Sequence, residues 1–92
     1  MEKNQSVKFI EGQFSAQEAL EILTNVLSSK INFHERKNFG TQINCGKDDL
    51  ASLQRISELK KSKDIVTSII SEAGNTHKQL KISSDIRIEL VD

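Results

Sequence analysis

The sequence predicts an α+β fold of strand–helix–helix–strand order. A long antiparallel helical hairpin packs with an antiparallel two-stranded sheet, and oligomerisation extends that sheet. Three observations carry this expectation. Residues 79–91 alternate apolar and polar side chains, with a single fault on the apolar face. Two stretches of about 25 residues instead repeat apolar side chains every three or four positions, the period of a helix. The tetrapeptide Ser15-Ala16-Gln17-Glu18 reads as a capping box and marks where the first of them starts. Ile, Leu, Val and Phe together make up 27 of the 92 residues. That share exceeds the ~20% below which chains stay disordered, so the chain folds, as one domain over residues 1–92 with a modest core.

The first strand is expected over residues 6–14. Val7 and Phe9 share one face, Ile10 and Phe14 the other, and Gly12 reads as a bulge that switches them. The first helix is expected over residues 15–39, roughly 36 Å long at 1.5 Å per residue. Ala19, Leu20, Ile22, Leu23, Val26 and Leu27 form its stripe, which resumes at Ile31 and Phe33 after the polar Ser28-Ser29-Lys30. Gly40 suits the left-handed conformation that commonly ends a helix. Residues 41–47 then form a loop. The second helix is expected over residues 49–73, capped by Asp48 or Asp49 and ended by Gly74-Asn75. Leu50, Leu53, Ile56 and Leu59 open its stripe, and Ile65, Val66, Ile69, Ile70 and Ala73 continue it beyond the polar residues 60–64. The last strand is expected over residues 79–91. Leu80, Ile82, Ile86, Ile88 and Leu90 lie on one face, with Ser84 as the fault, and Lys81, Ser83, Asp85, Arg87 and Glu89 on the other.

A helical hairpin returns the chain to its starting point, so the two strands become antiparallel neighbours. A lone two-stranded sheet is marginal in water and leaves two unpaired edges. The chain is therefore expected to form a homodimer or higher oligomer. Its interface or core is drawn from Leu80, Ile82, Ile86, Ile88, Leu90, Leu50, Leu53 and Ile56. Asp at both 86 and 88 should then abolish folding and assembly together. With Ser28-Ser29-Lys30 opposite residues 58–60, the hairpin is expected to have a wet waist between two apolar clusters. The cluster nearer the sheet would cover the sheet's apolar face. The cluster nearer the loop, Ile31, Phe33 and Phe39 against Leu50, Leu53, Ile56 and Leu59, is divided between internal packing and contact with another chain.

Chemistry is hard to find. Gly40 and Gly46-Lys47 frame a segment that superficially resembles a phosphate-binding loop. It has five residues between the glycines instead of four, Asp48 where a hydroxyl should hold Mg²⁺, and a helix before it instead of a strand. His34-Glu35-Arg36-Lys37 lacks the second histidine of a zinc-binding helix. His34, Cys45 and Asp48 or Asp49 are weak metal candidates near the hairpin tip, and His34 is better read as facing solvent by a helix C-terminus. His77 reads as loop surface. Cys45 has no oxyanion arrangement to act with, and N-capping accounts for Asp48-Asp49. No catalytic, cofactor or metal residues are assigned, and the chain is expected not to be an enzyme.

Cys45 is the only cysteine, so no intrachain disulfide forms. Residues 1–8 are polar and no long apolar run follows, so neither a signal peptide nor a membrane span is expected. The triplet Asn4-Gln5-Ser6 matches a glycosylation sequon, a pattern that recurs by chance. A cytoplasmic location follows. Thirteen acidic and thirteen basic side chains balance overall, but residues 30–63 hold eight basic and four acidic ones. The loop half of the hairpin is thus basic. The leading expectation is a non-enzymatic homo-oligomeric interaction or scaffold module that binds itself and potentially another protein. The alternative is a nucleic-acid-associated protein using Arg55, Lys60, Lys61 and Lys63. The absence of Tyr and Trp for base stacking weighs against the alternative. Binding to DNA and RNA at 50 mM salt discriminates the two, because the electrostatic contribution is strongest there.

Overall fold

Ser15 starts the first helix as its residue type dictates. Its hydroxyl accepts the Glu18 N–H at 3.1 Å, while the Glu18 carboxylate accepts the Ser15 N–H at 2.9 Å. The computed structural model describes residues 4–92, and part of the polar opening segment therefore lies outside the described residues. The order is β1 (Asn4–Phe14), α1 (Ala16–Cys45), α2 (Leu50–Asn75) and β2 (Leu80–Glu89), an α+β architecture. The strands pair antiparallel in a two-stranded sheet, and the helices form the hairpin between them.

Helix α1 corrects the expected boundary. It runs through Gly40 to Cys45, 30 residues in all, and ends at Gly46 in the left-handed region (φ 68°). Gly40 therefore lies in the last third of the helix, and the loop shrinks to residues 46–49. A glycine inside a helix costs about 1 kcal/mol relative to alanine. Polar side chains on either side of Gly40 hold the turn together. Asn38 Oδ1 accepts the Asp49 N–H at 2.6 Å, and Gln42 Nε2 donates to Asp48 Oδ1 at 2.6 Å. Asp49 in turn caps α2, its carboxylate accepting from Ser52 N–H (3.2 Å) and Ser52 Oγ (3.0 Å). These bonds leave Ser52 buried yet satisfied.

The end of α2 is also displaced from its expected position. The helix continues through Gly74 and Asn75, and Thr76 closes it. The left-handed residue is His77 (φ 54°), and Lys78 N–H donates to the Ala73 carbonyl at 2.9 Å, the long bond of a Schellman turn. A Cβ in this region is strained. The variant His77→Gly is expected to raise unfolding stability by up to about 1 kcal/mol, since relief of strain exceeds the entropy a glycine adds to the unfolded chain. A urea titration at fixed chain concentration checks this.

The bulge in β1 is at Phe9, not Gly12. Lys8 pairs with Asp85 and Ile10 with Ser84, so Phe9 is the extra residue. Val7, Ile10, Gly12 and Phe14 consequently stand opposite Ile86, Ser84, Ile82 and Leu80 on a single face. The backbone explains the glycine at 12: its φ of 149° strains a side chain there, although a Cβ would meet the Phe14 ring only at an ordinary contact distance of 3.5 Å.

The hairpin core straddles the expected wet waist, drawing on three residues of the loop-proximal cluster and on Leu27 of the sheet-proximal one. Ile31, Ile56 and Leu59 are buried together, with Leu27 packed against them. Ser28 and Lys60 do flank this region, lining an outer hollow beside Ile31, but the apolar trio closes the space between the helices. Nearer the sheet, Ala19, Ile70 and Ala73 are buried, and Gly74 lies beside Ala16.

The sheet is covered far less than expected. Phe9 and Ile86 share a hollow with Val26, but Phe9, Ile86, Ile88 and Val7 remain substantially exposed. The Cα radius of gyration is 16.7 Å, and the principal extents are 50 × 38 × 15 Å. A compact chain of this length has a radius of gyration near 12 Å. The chain is thus elongated, and the two-stranded ribbon meets α1 where Phe9 and Ile86 approach Val26 and Lys30.

Candidate functional site

Folding leaves two apolar surfaces open, one on the ribbon and one at the hairpin tip. On the ribbon, the strict alternation of β2 puts Leu80, Ile82, Ile86 and Ile88 on one face. Leu80 and Ile82 are half-buried near the junction with the helices. Exposure then climbs along the strand, from 38% at Ile86 to 56% at Ile88 and 74% at Leu90, just beyond the strand. Val7 lies opposite Ile86 and is half-exposed, which continues the apolar surface onto β1. On the opposite face, Lys8 stands across from Asp85, and Ser83 Oγ donates to Glu11 Oε2 at 2.9 Å.

At the tip, the six extra residues of α1 carry Ile43 beyond the start of α2. Phe39 and Ile43 are exposed, and so is Leu50, at 76%. Leu53 is 39% exposed and Phe33 about half. The expected division of the loop-proximal stripe is therefore resolved residue by residue within one chain. Ile56 is internal together with Ile31 and Leu59, whereas Leu50, Leu53, Phe33 and Phe39 face outward. Ile43 was placed in a loop by its sequence and escaped notice. Its spacing of four from Phe39 is the signal that a continued helix would have revealed.

His34 lies in the middle of α1, not at a C-terminus, because the helix continues eleven residues past it. Its ring meets Phe33 edge-to-face at 5.1 Å between centroids, and its Nδ1 is buried without a hydrogen-bond partner. Desolvation of the ring, aided by the positive charges of Lys30, Arg55 and Lys37, pulls its pKa below the ordinary 6.5; Asp49 opposes this. A histidine that is harder to protonate when folded favours the fold fully above pH 6.5 and progressively less as the pH falls below it. Unfolding midpoints are therefore expected to drop between pH 6.5 and pH 5. The variant His34→Leu should flatten that slope when both proteins are melted across the range. The carboxylates of Glu18 and Asp49 are lowered by the N–H groups of Ser15 and Ser52, respectively. Their support is present above the usual carboxylate range and is lost as the pH falls through it.

The basic residues are spread out. Arg55 reaches Glu58 at 3.4 Å, an exposed pair one helical turn apart. Lys60 and Lys63 border a hollow with Asp64, Ser28 and Asn32, and Lys61 is exposed. An acidic side chain thus interrupts the lysine cluster. Among the described residues, His34, Cys45 and the Asp48-Asp49 pair do not gather into a group that could hold a metal ion. Cys45 is an exposed free thiol. No helix of the described chain is long and apolar enough to cross a membrane.

The class these features define is therefore architectural: an α+β helical hairpin with a lightly covered two-stranded ribbon. Comparison of the chain with family models, curated proteins and solved structures finds no match in any of the three.

Proposed function

We propose that the chain is a non-enzymatic, cytoplasmic module of homo-oligomeric assembly, in which copies cover one another's ribbon and helical stripes. One observation carries the reading. A radius of gyration of 16.7 Å, against about 12 Å for a compact chain of this length, accompanies apolar side chains exposed on both strands. A two-stranded ribbon so lightly covered is marginal alone, and a second copy supplies both strand partners and apolar cover. The balance of thirteen acidic and thirteen basic side chains favours self-association over recognition of a polyanion. The single cysteine accords with a reducing compartment. A further protein partner would find its place on the exposed hairpin tip once the ribbon is occupied.

Light scattering over a hundredfold concentration range tests the proposal. The expected result is a molar mass of two or more chains that falls only at the dilute end. A molar mass of 10.3 kDa, one chain, throughout the range refutes it.

A further inference from the structure

Resting on the self-assembly proposed above, we infer that two copies pair through the outer edges of β2, antiparallel, about a two-fold axis at Ile86. The sheet so formed has four strands in the order β1-β2-β2-β1. The two edges of the ribbon are not equivalent. Strand β1 is broken by the bulge at Phe9 and carries Gly12 at φ 149°, both of which bend an edge away from regular pairing. Strand β2 has no such interruption over Leu80–Glu89, and among the described residues β1 is its only partner. An uninterrupted, uncovered edge is the one that accepts another strand.

Charge and pattern select the register. Side chains stay on their own faces only if residues of like parity meet, so the axis must pass through a residue of the strand. With the axis at Ile86, Ile86 meets its own copy, Ser84 meets Ile88, and Ile82 meets Leu90 on the apolar face. On the polar face, Asp85 meets Arg87 of the second copy, twice by symmetry. Lys8 already flanks Asp85 from β1, so the carboxylate gains a cation on each side. Neighbouring registers fail on the same residues. An axis at Asp85 sets that carboxylate against itself. An axis at Arg87 sets two guanidiniums together and Asp85 against Glu89. An axis at Ser84 opposes Lys81 to Arg87, and one at Ile88 pairs only three residues within the strand. Like charges directly opposite destabilise a sheet, and opposite charges stabilise it. The arrangement also closes itself, since its outer edges are the bulged β1 strands.

The test uses the full chain carrying Cys45→Ser. Directly opposed antiparallel residues have Cα atoms about 4.5–5.5 Å apart, within disulfide reach. The variant Ile86→Cys is expected to form a cross-linked dimer under mild oxidation. Ser84→Cys, whose two copies would lie about 13 Å apart along the strands, is expected to remain unlinked. The exposed pair is tested separately. Asp85→Arg and Arg87→Asp should each weaken association at least tenfold. An equimolar mixture of the two should recover it, because both of its cross-axis pairs are again opposite in sign. Far-UV circular dichroism verifies the helices of every variant, and the charge variants decide the matter if a cysteine variant misfolds. An oligomer in which Ile86→Cys does not link, or in which the mixture stays dissociated, overturns the β2 register while self-assembly stands. A parent chain that is monomeric at every concentration overturns both.

Discussion

Truncating Leu59 to alanine is expected to cost about 3 kcal/mol of unfolding stability. Leu59 is 4% exposed and packs with Ile31 and Ile56 at the centre of the hairpin. Both helices run uninterrupted through this point, so the cavity cannot collapse without moving a whole helix. The loss weighs heavily because domains of this size are stable by only about 5–14 kcal/mol. Leu50→Ala is the control. Leu50 belongs to the same stripe but is exposed at the tip, so its truncation should change stability by less than about 0.5 kcal/mol. Urea denaturation followed by circular dichroism, at one chain concentration, compares the two. Equal losses would place Leu59 outside the core.

The second large effect concerns assembly. The variant carrying both Ile86→Asp and Ile88→Asp is expected to lose oligomerisation by at least about a hundredfold in concentration, while its helices survive. From the sequence alone, folding and assembly were expected to fail together. Their exposure argues for separate outcomes: these side chains are 38% and 56% exposed in a single chain, and the partly buried side chain packed on the hairpin's buried trio is Leu27 of α1. Placing four carboxylates inside a symmetric interface costs far more than the roughly 2.7 kcal/mol that a hundredfold change represents. Light scattering reads the loss and circular dichroism the retained helices. Unchanged molar mass would show that the ribbon face is not the assembly surface.

The sequence was informative where periodicity alone decides. The alternation in β2 and the capping box at Ser15 are local and unambiguous, and both strands and both helices occupy the regions their patterns indicate. It was silent where a distant partner decides. Gly40 looks like a helix end until Asn38 and Gln42, on either side of it, are seen to hold Asp48 and Asp49 across the turn. A bulge at Phe9 and a bulge at Gly12 satisfy the β1 pattern equally well, and only its register against β2 distinguishes them. The waist appeared wet because three consecutive polar residues dominate that part of the sequence. Their neighbours Ile31 and Leu59 nonetheless point inward. The candidate surface was legible as a set of residues, but which of them a single chain buries was not. Ile56 and Leu53 have the same spacing signal and opposite fates.

The pairing of Asn4 with Glu89 has a kinetic consequence. Joining the strands closes a loop of nearly the whole chain, an entropic cost that the helical hairpin lowers by bringing the strand ends together first. The hairpin, with neighbouring contacts and a bonded turn, is therefore expected to form early and the ribbon to zip last. Amide hydrogens of the ribbon should accordingly exchange with solvent sooner than those around Leu59. On the proposed pairing, the edge offered to a second copy would exist only on chains whose helices have already folded, and half-made molecules would be barred from the assembly.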